Sequence, residues 1–89
     1  MIVQVGDKRW KFRFAKIKGD DGRCEHPWQA DKTITIKSGQ NERDELETIL
    51  HELLHAADWS KAEWWIEEVG HDIARILYRL GWRKTDPMD

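Results

Sequence analysis

The chain has 89 residues, the length of one small domain, and we expect residues 1–89 to fold as a single unit. With 15 basic and 17 acidic residues, the net charge of −2 argues against a dedicated nucleic-acid binder or a protein that binds anionic membranes. A single cysteine excludes an internal disulfide and any metal site made of cysteines alone. No apolar run is long enough to span a bilayer and no signal peptide is apparent, so the expected location is cytoplasmic.

Residues 1–40 favour β-structure. Alternating apolar and polar residues predict three strands, at residues 2–5, 10–18 and 33–37. Gly6-Asp7 and the segment from Gly19 to Gly22 are turn signals. Residues 24–31 contain a proline and show no clear period, so we expect a connecting loop there.

Residues 41–82 change to a helical period. Apolar residues at helical spacing predict one face of a first helix: Leu46, Ile49, Leu50, Leu53, Leu54 and Ala57. Asn41 is a suitable N-cap for this helix. A second stripe predicts the apolar face of a following helix: Ala62, Ile66, Val69, Ile73, Ile76, Leu77 and Leu80.

The ends of the second helix also carry sequence signals. Ser60 and Glu63 have the spacing of a capping box, and Gly81 is a natural C-terminal stop. Residues 84–89 are expected to form a frayed tail. A connection of about two residues predicts an antiparallel helical hairpin. The expected fold class is therefore α+β, with a small antiparallel sheet of about three strands packed on a two-helix antiparallel hairpin.

The first helix contains the motif His51-Glu52-Leu-Leu-His55. Two histidines four residues apart project from the same face of a helix and can bind one metal ion. Glu52 can then reach a water at that metal and act as its general base. The histidines lie well away from the apolar stripe, so they are not core histidines. The alternative is a pair of solvated surface histidines.

A zinc site needs a third protein ligand and an open position for water. In a helical hairpin, residues equally far from the turn lie level with each other. With the turn near Trp59, Glu63 is predicted to lie level with His55, and Glu67 is predicted to lie level with His51. We therefore expect Glu63 as the ligand and Glu67 as a carboxylate that orients a ligand histidine, with Glu67 as the alternative ligand.

The segment from His51 to Trp59, followed by an acidic helix and Leu80-Gly81-Trp82, resembles small phage and bacterial metallopeptidases of gluzincin type. The resemblance covers residues 22–83. It implies a minimal zincin-like fold, with an HExxH helix and a glutamate ligand on the following helix. In larger gluzincins an acid four residues after that glutamate supports a ligand histidine. Two pairs in the second helix have this spacing: Glu63 with Glu67, and Glu68 with Asp72, which projects from the opposite flank.

Several other residues have more than one interpretation. His71 could donate a hydrogen bond to the transition state, or it is a surface residue beyond the site. Cys24 could cap the zinc in a resting form, or it is a buried and inert thiol. No role is assigned to His26. The third predicted strand is a candidate edge on which an extended substrate could pair: Thr33, Ile34, Thr35, Ile36 and Lys37.

These patterns predict a peptidase that uses one Zn²⁺ per chain, with a peptide or protein substrate and no nucleic-acid or membrane partner. Glu52 would deprotonate the attacking water and pass the proton to the leaving amine. One alternative is a non-catalytic interaction module with a structural or vestigial zinc site, because a chain of 89 residues has little room for specificity pockets. A metallohydrolase acting on a non-peptide bond is a second alternative.

Overall fold

The computed structural model describes residues 1–84. The strands are β1 (Ile2–Val5), β2 (Lys8–Ala15), β3 (Gly22–Cys24) and β4 (Thr33–Lys37), and the helices are α1 (Glu42–Ala57) and α2 (Glu63–Arg79). The architecture is α+β, as predicted, with one sheet packed against the helical hairpin. None of the helices in this part of the chain is long and apolar enough to cross a membrane.

The sheet has four strands in the order β1-β2-β4-β3. The predicted sheet lacked β3, a strand of three residues with too short a pattern to separate it from the preceding turn and the following loop. β1 and β3 pair antiparallel to their neighbours, whereas β2 and β4 are parallel. The sheet is therefore mixed rather than wholly antiparallel.

The prediction that residues 33–37 form an edge strand is wrong. β4 pairs with β2 along one side and with β3 along the other, so its backbone groups are already used within the sheet. The edge strands are β1 and β3. A substrate cannot extend the sheet at Thr33, Ile34, Thr35, Ile36 or Lys37.

The core lies between one face of the sheet and α1. Trp10 and Phe12 of β2 and Ile34 and Ile36 of β4 are all buried, and Ala56 of α1 packs against them. The residues between them in sequence face away: Arg13 Nε donates to Thr35 Oγ1 on the outer face of the sheet. The alternation predicted from the sequence is therefore confirmed for β2, although this strand ends at Ala15 rather than at residue 18. In β4, Thr35 is buried as well as Ile34 and Ile36.

Helix α1 begins as predicted. The side-chain oxygen of Asn41 accepts a hydrogen bond from the Asp44 backbone N–H at 2.9 Å, which satisfies one free donor of the first turn.

The residues that α1 buries most differ from the predicted apolar stripe. They are Glu45, Thr48, Glu52 and Ala56, while the predicted leucines are only half-buried and Ala57 is exposed. The reason is that α1 lies between two layers: it contacts β1, β3 and β4, while α2 packs on α1 alone. Some apolar residues of α1 therefore face the sheet and others face α2. The face toward β3 is polar, and this face carries the site described below.

The predicted capping box at the start of α2 is wrong. The N-cap is Ala62, which provides no side-chain hydrogen bond. The Ser60 hydroxyl instead donates to Asp58 Oδ1, as does the Ser60 backbone N–H. Residues 58–62 thus form a longer connection than the two residues expected, and Glu63 is left free to take part in the site.

The C-terminal end of α2 is as predicted. Gly81 has φ +95°, a conformation that glycine adopts without strain. The Gly81 N–H donates to the Tyr78 carbonyl and the Trp82 N–H donates to the Leu77 carbonyl, the Schellman arrangement. Of the predicted frayed tail, residues 85–89 lie outside the described residues, whereas Lys84 pairs with Glu45 at 2.8 Å.

Candidate metal centre

Two imidazoles of α1 converge on one point in front of the helix. His51 and His55 are one turn apart, and their Nε2 atoms are 3.2 Å apart. Both side chains are half-buried, with 24% and 17% of their surface exposed. The local rule that places residues i and i+4 on one helix face accounts for this convergence.

Glu63 in the first turn of α2 completes the group. One of its oxygens lies 2.9 Å from His51 Nε2, and the other lies 2.9 Å from His55 Nε2. Ligand atoms around a tetrahedral zinc with bonds of about 2.0–2.1 Å are roughly 3.3–3.4 Å apart. The 3.2 Å between the two imidazole nitrogens is close to this value, and each nitrogen has one Glu63 oxygen slightly nearer than it. Two imidazole nitrogens with one carboxylate oxygen are ligands that zinc prefers. Glu63 is the ligand expected from the hairpin geometry.

Glu67 does not make the contact with a histidine that was expected of it. It lines the same cleft, one turn beyond Glu63. Within residues 1–84, however, no hydrogen bond joins it to His51 or His55. The predicted support of a ligand histidine by Glu67 is therefore not seen in the structure.

Glu52 lies beside the histidines, in contact with the sheet. It is only 7% exposed, because α1 presses it against β3. The pKa of the Glu52 carboxyl is raised to about 7, mainly by burial; His51 opposes this shift, and the negative charges of Glu63 and Asp20 contribute to it. Together with His51 and His55, Glu52 forms a group of three side chains whose ligand atoms lie within 4.8 Å of one another. An acid placed next to the ligand atoms, with a pKa near neutrality, is suited to accept a proton.

Gly22 on β3 makes room for Glu52. A methyl group at this position would lie 2.7 Å from Thr48 Cγ2 and 2.8 Å from Glu52 Oε2. The close approach of β3 to α1 therefore requires glycine at residue 22. This role of Gly22 is not apparent from the sequence, where the residue belongs to the turn signal that begins at Gly19.

We expect Gly22→Ala to destabilise the protein by about 1–3 kcal/mol, the usual cost of adding a methyl group to a packed contact. Urea unfolding of the two proteins measures the difference. Gly70→Ala is the matched control, since its methyl group would lie 3.5 Å from the nearest atom, His51 N, within a helix. That change should leave the stability equal or up to about 1 kcal/mol higher. Equal stability of Gly22→Ala and wild type would contradict the close contact.

A second prediction concerns the metal-free protein. The raised pKa of Glu52 means that the folded state holds this proton more tightly than the unfolded state, so deprotonation costs stability as the pH rises through about 7. Glu52→Gln removes this cost. In the presence of chelator we expect the variant to be more stable than wild type at pH 8, by on the order of 1–2 kcal/mol. The difference should vanish at pH 4, where wild-type Glu52 is protonated in both states. A constant difference between the two pH values would contradict the assignment.

Cys24 and His26 do not join the ligand group. The pKa of the Cys24 thiol is raised to about 12, mainly by burial and also by the negative charges of Glu52 and Glu25. Cys24 is therefore protonated at neutral pH, which favours the interpretation as an inert thiol over that of a zinc cap. His26 lies beside the Trp28 ring, with centroids 6.1 Å apart.

His71 pairs with another residue. Its Nδ1 lies 2.6 Å from Glu47 Oε1, and about half of each side chain is exposed. The structure thus places His71 with Glu47 rather than with the histidine pair. A role as transition-state donor has no support from this geometry.

The candidate metal centre lies in an open cleft of ≈890 Å³ between β3, α1 and the start of α2. Its lining is mainly acidic: Asp20, Asp21, Glu25, Glu47, Glu52, Glu63 and Glu67, against the two cations Arg23 and Lys61. Trp59 forms one wall, with its ring centroid 5.9 Å from that of His55. The cleft leaves the ligand atoms accessible to a substrate and to water.

Comparisons with protein-family models, with curated proteins and with solved structures find no match.

Proposed function

We propose that the protein is a zinc-dependent metallopeptidase that hydrolyses peptide bonds. The observation that carries the proposal is the position of Glu63, whose carboxylate lies 2.9 Å from both histidine Nε2 atoms of the HExxH helix. Two histidines and a glutamate leave one position of a tetrahedral site open, as catalytic zinc sites require. His51, His55 and Glu63 would hold the ion.

Zinc bound at this site would act as a Lewis acid and lower the pKa of a coordinated water. Glu52 supplies the proton transfers. Its carboxylate accepts the proton of the attacking water and then donates it to the amine that leaves. Burial between α1 and β3 restricts this side chain and is the main reason that its pKa is raised to about 7, close to neutral pH.

The free edge of β3 supports an extended substrate. The Lys37 N–H donates to the Asp21 carbonyl, and the Glu25 N–H donates to the Thr33 carbonyl. In an antiparallel ladder the hydrogen-bonded positions alternate, so the peptide groups of Gly22 and Cys24 face away from β4. A peptide paired with these groups would lie across the front of α1, beside the histidines.

Digestion of an unfolded protein tests the proposal. The purified protein, loaded with one equivalent of zinc, should cleave reduced and alkylated lysozyme, and chelation should stop the cleavage. Adding zinc back should restore it. A protein that binds zinc without cleaving such substrates would instead be the non-catalytic interaction module. The cytoplasmic location stays a prediction from the sequence.

A further inference from the structure

A second cavity adjoins the metal cleft at the C-terminal end of α1. It has a volume of ≈320 Å³ and is lined by Ala56 and Ala57 of the helix. Trp28, from the connection between β3 and β4, and Trp59, from the connection between the helices, also line it. Two indoles from separate parts of the chain thus meet at one small cavity.

These two tryptophans are not part of the hydrophobic core. Trp28 is 76% exposed and Trp59 is 38% exposed, whereas Trp10 is 1% exposed. A single exposed apolar residue is ordinary, whereas several that line one cavity can mark a binding site. At this cavity, Trp28 and Trp59 offer an apolar surface that folding does not use.

The charged residues of the same cavity are already paired. Lys8 Nζ lies 3.2 Å from Asp7 Oδ1. Asp58 accepts hydrogen bonds from the N–H and the hydroxyl of Ser60. A charged ligand would therefore compete with existing partners, whereas an apolar side chain would contact the indoles and the two alanines.

The cavity continues the metal cleft. Trp59 lines both spaces, and its ring is next to the ligand His55. On the other side, β3 ends at Cys24 and the chain continues directly into the segment that carries Trp28. An extended chain paired with β3 would therefore pass the metal centre and arrive between the two tryptophans.

We propose that Trp28 and Trp59 form a specificity pocket that selects a substrate with a large apolar or aromatic side chain close to the scissile bond. This inference rests on the proposed function, because it takes the occupant to be a peptide held at the zinc site. The aromatic pair is a specificity determinant and takes no part in the proton transfers.

Two hydroxamates test the pocket without requiring catalysis. Acetohydroxamate binds zinc through its chelating group alone, whereas 3-phenylpropanohydroxamate adds a flexible aromatic group. Calorimetric titration of the zinc-loaded protein should show at least ~10-fold tighter binding of the aromatic probe, the selectivity typical of an apolar pocket. Trp28→Ala and Trp59→Ala should each remove most of this preference. Trp28 does not line the metal cleft, so Trp28→Ala should also leave the affinity for acetohydroxamate unchanged.

Trp82→Ala is the control for the loss of an exposed indole. Trp82 is 65% exposed and lines a different cavity, with Leu46 and Leu77. This variant should keep the full preference. Since Trp28 is the more exposed member of the pair, its removal should not affect folding, which a melting temperature within ~2 °C of wild type would confirm.

The outcomes separate the pocket from the proposed function. Equal affinity of wild type for the two hydroxamates, or a preference that survives both substitutions, would overturn the pocket while zinc binding stands. Failure to bind zinc would overturn the proposed function and this inference with it. For an active protein, mass spectrometry of the cleaved peptides should show Phe, Trp or Leu enriched at one position near the cleaved bond, and Trp28→Ala should reduce that enrichment.

Discussion

Glu52→Gln is expected to keep zinc bound and to lower the rate of peptide cleavage by about 10²–10⁴-fold, the usual contribution of a general base. The amide has the shape of the carboxylate and fits the same space against Gly22 of β3. It cannot accept a proton from water. The cleavage rate of a fluorescently labelled, unfolded protein measures the loss, and elemental analysis of the same sample measures the zinc.

Glu68→Gln is the matched control for this change. Glu68 is an exposed residue of α2 that does not line the metal cleft. The variant should keep both its zinc and its rate. If the zinc-loaded Glu52→Gln protein cleaves at the wild-type rate, Glu52 is not the base. If it loses its zinc, Glu52 acts by holding the metal, as its closeness to the ligand nitrogens of His51 and His55 would then explain.

The parts of the site that could be predicted from the sequence depend on local geometry. The spacing of His51 and His55 is sufficient to place both imidazoles on one face, whatever the helix packs against. Glu63 follows from one further fact, that the next helix folds back on the first. The structure refines this prediction: Glu63 contacts both histidines rather than only the one level with it, because their Nε2 atoms are 3.2 Å apart and each carboxylate oxygen reaches one of them.

The parts that could not be predicted depend on pairing between distant segments. β3 is three residues long, and nothing in Gly22-Arg23-Cys24 indicates a strand until β4 is placed beside it. The parallel pairing of β2 with β4 was equally hidden, since the connection between them must leave the sheet and return. These two pairings determine which strands lie at the edges of the sheet, and they bring β3 against Glu52, which is buried as a result. The burial of Glu52, the proposed base, could therefore not be predicted from helical periodicity alone.

Glu63→Ala is expected to weaken zinc binding by more than ~100-fold, beyond the 10–100-fold that is typical when a residue supporting a ligand is lost. The reason is that the Glu63 carboxylate lies 2.9 Å from each imidazole Nε2, where it can bind an ion held by both histidines. The substitution would leave that ion only two protein ligands. Glu67→Ala is expected to weaken binding by at most ~10-fold, because this side chain lines the cleft without a hydrogen bond to either histidine. Competition titration against a chromophoric chelator gives both affinities.

The order of the two effects identifies the third ligand. Both glutamates are exposed residues of the same helix, one turn apart, so the two substitutions remove equal charge from the same cleft and differ chiefly in distance from the histidines. A general electrostatic contribution to zinc affinity would make the two variants alike, whereas direct ligation separates them. A larger loss for Glu67→Ala would exchange the two roles and require α2 to shift along α1. The double variant His51→Ala/His55→Ala sets the lower limit of the titration, and zinc retained by that protein at full occupancy would show that the ion binds elsewhere.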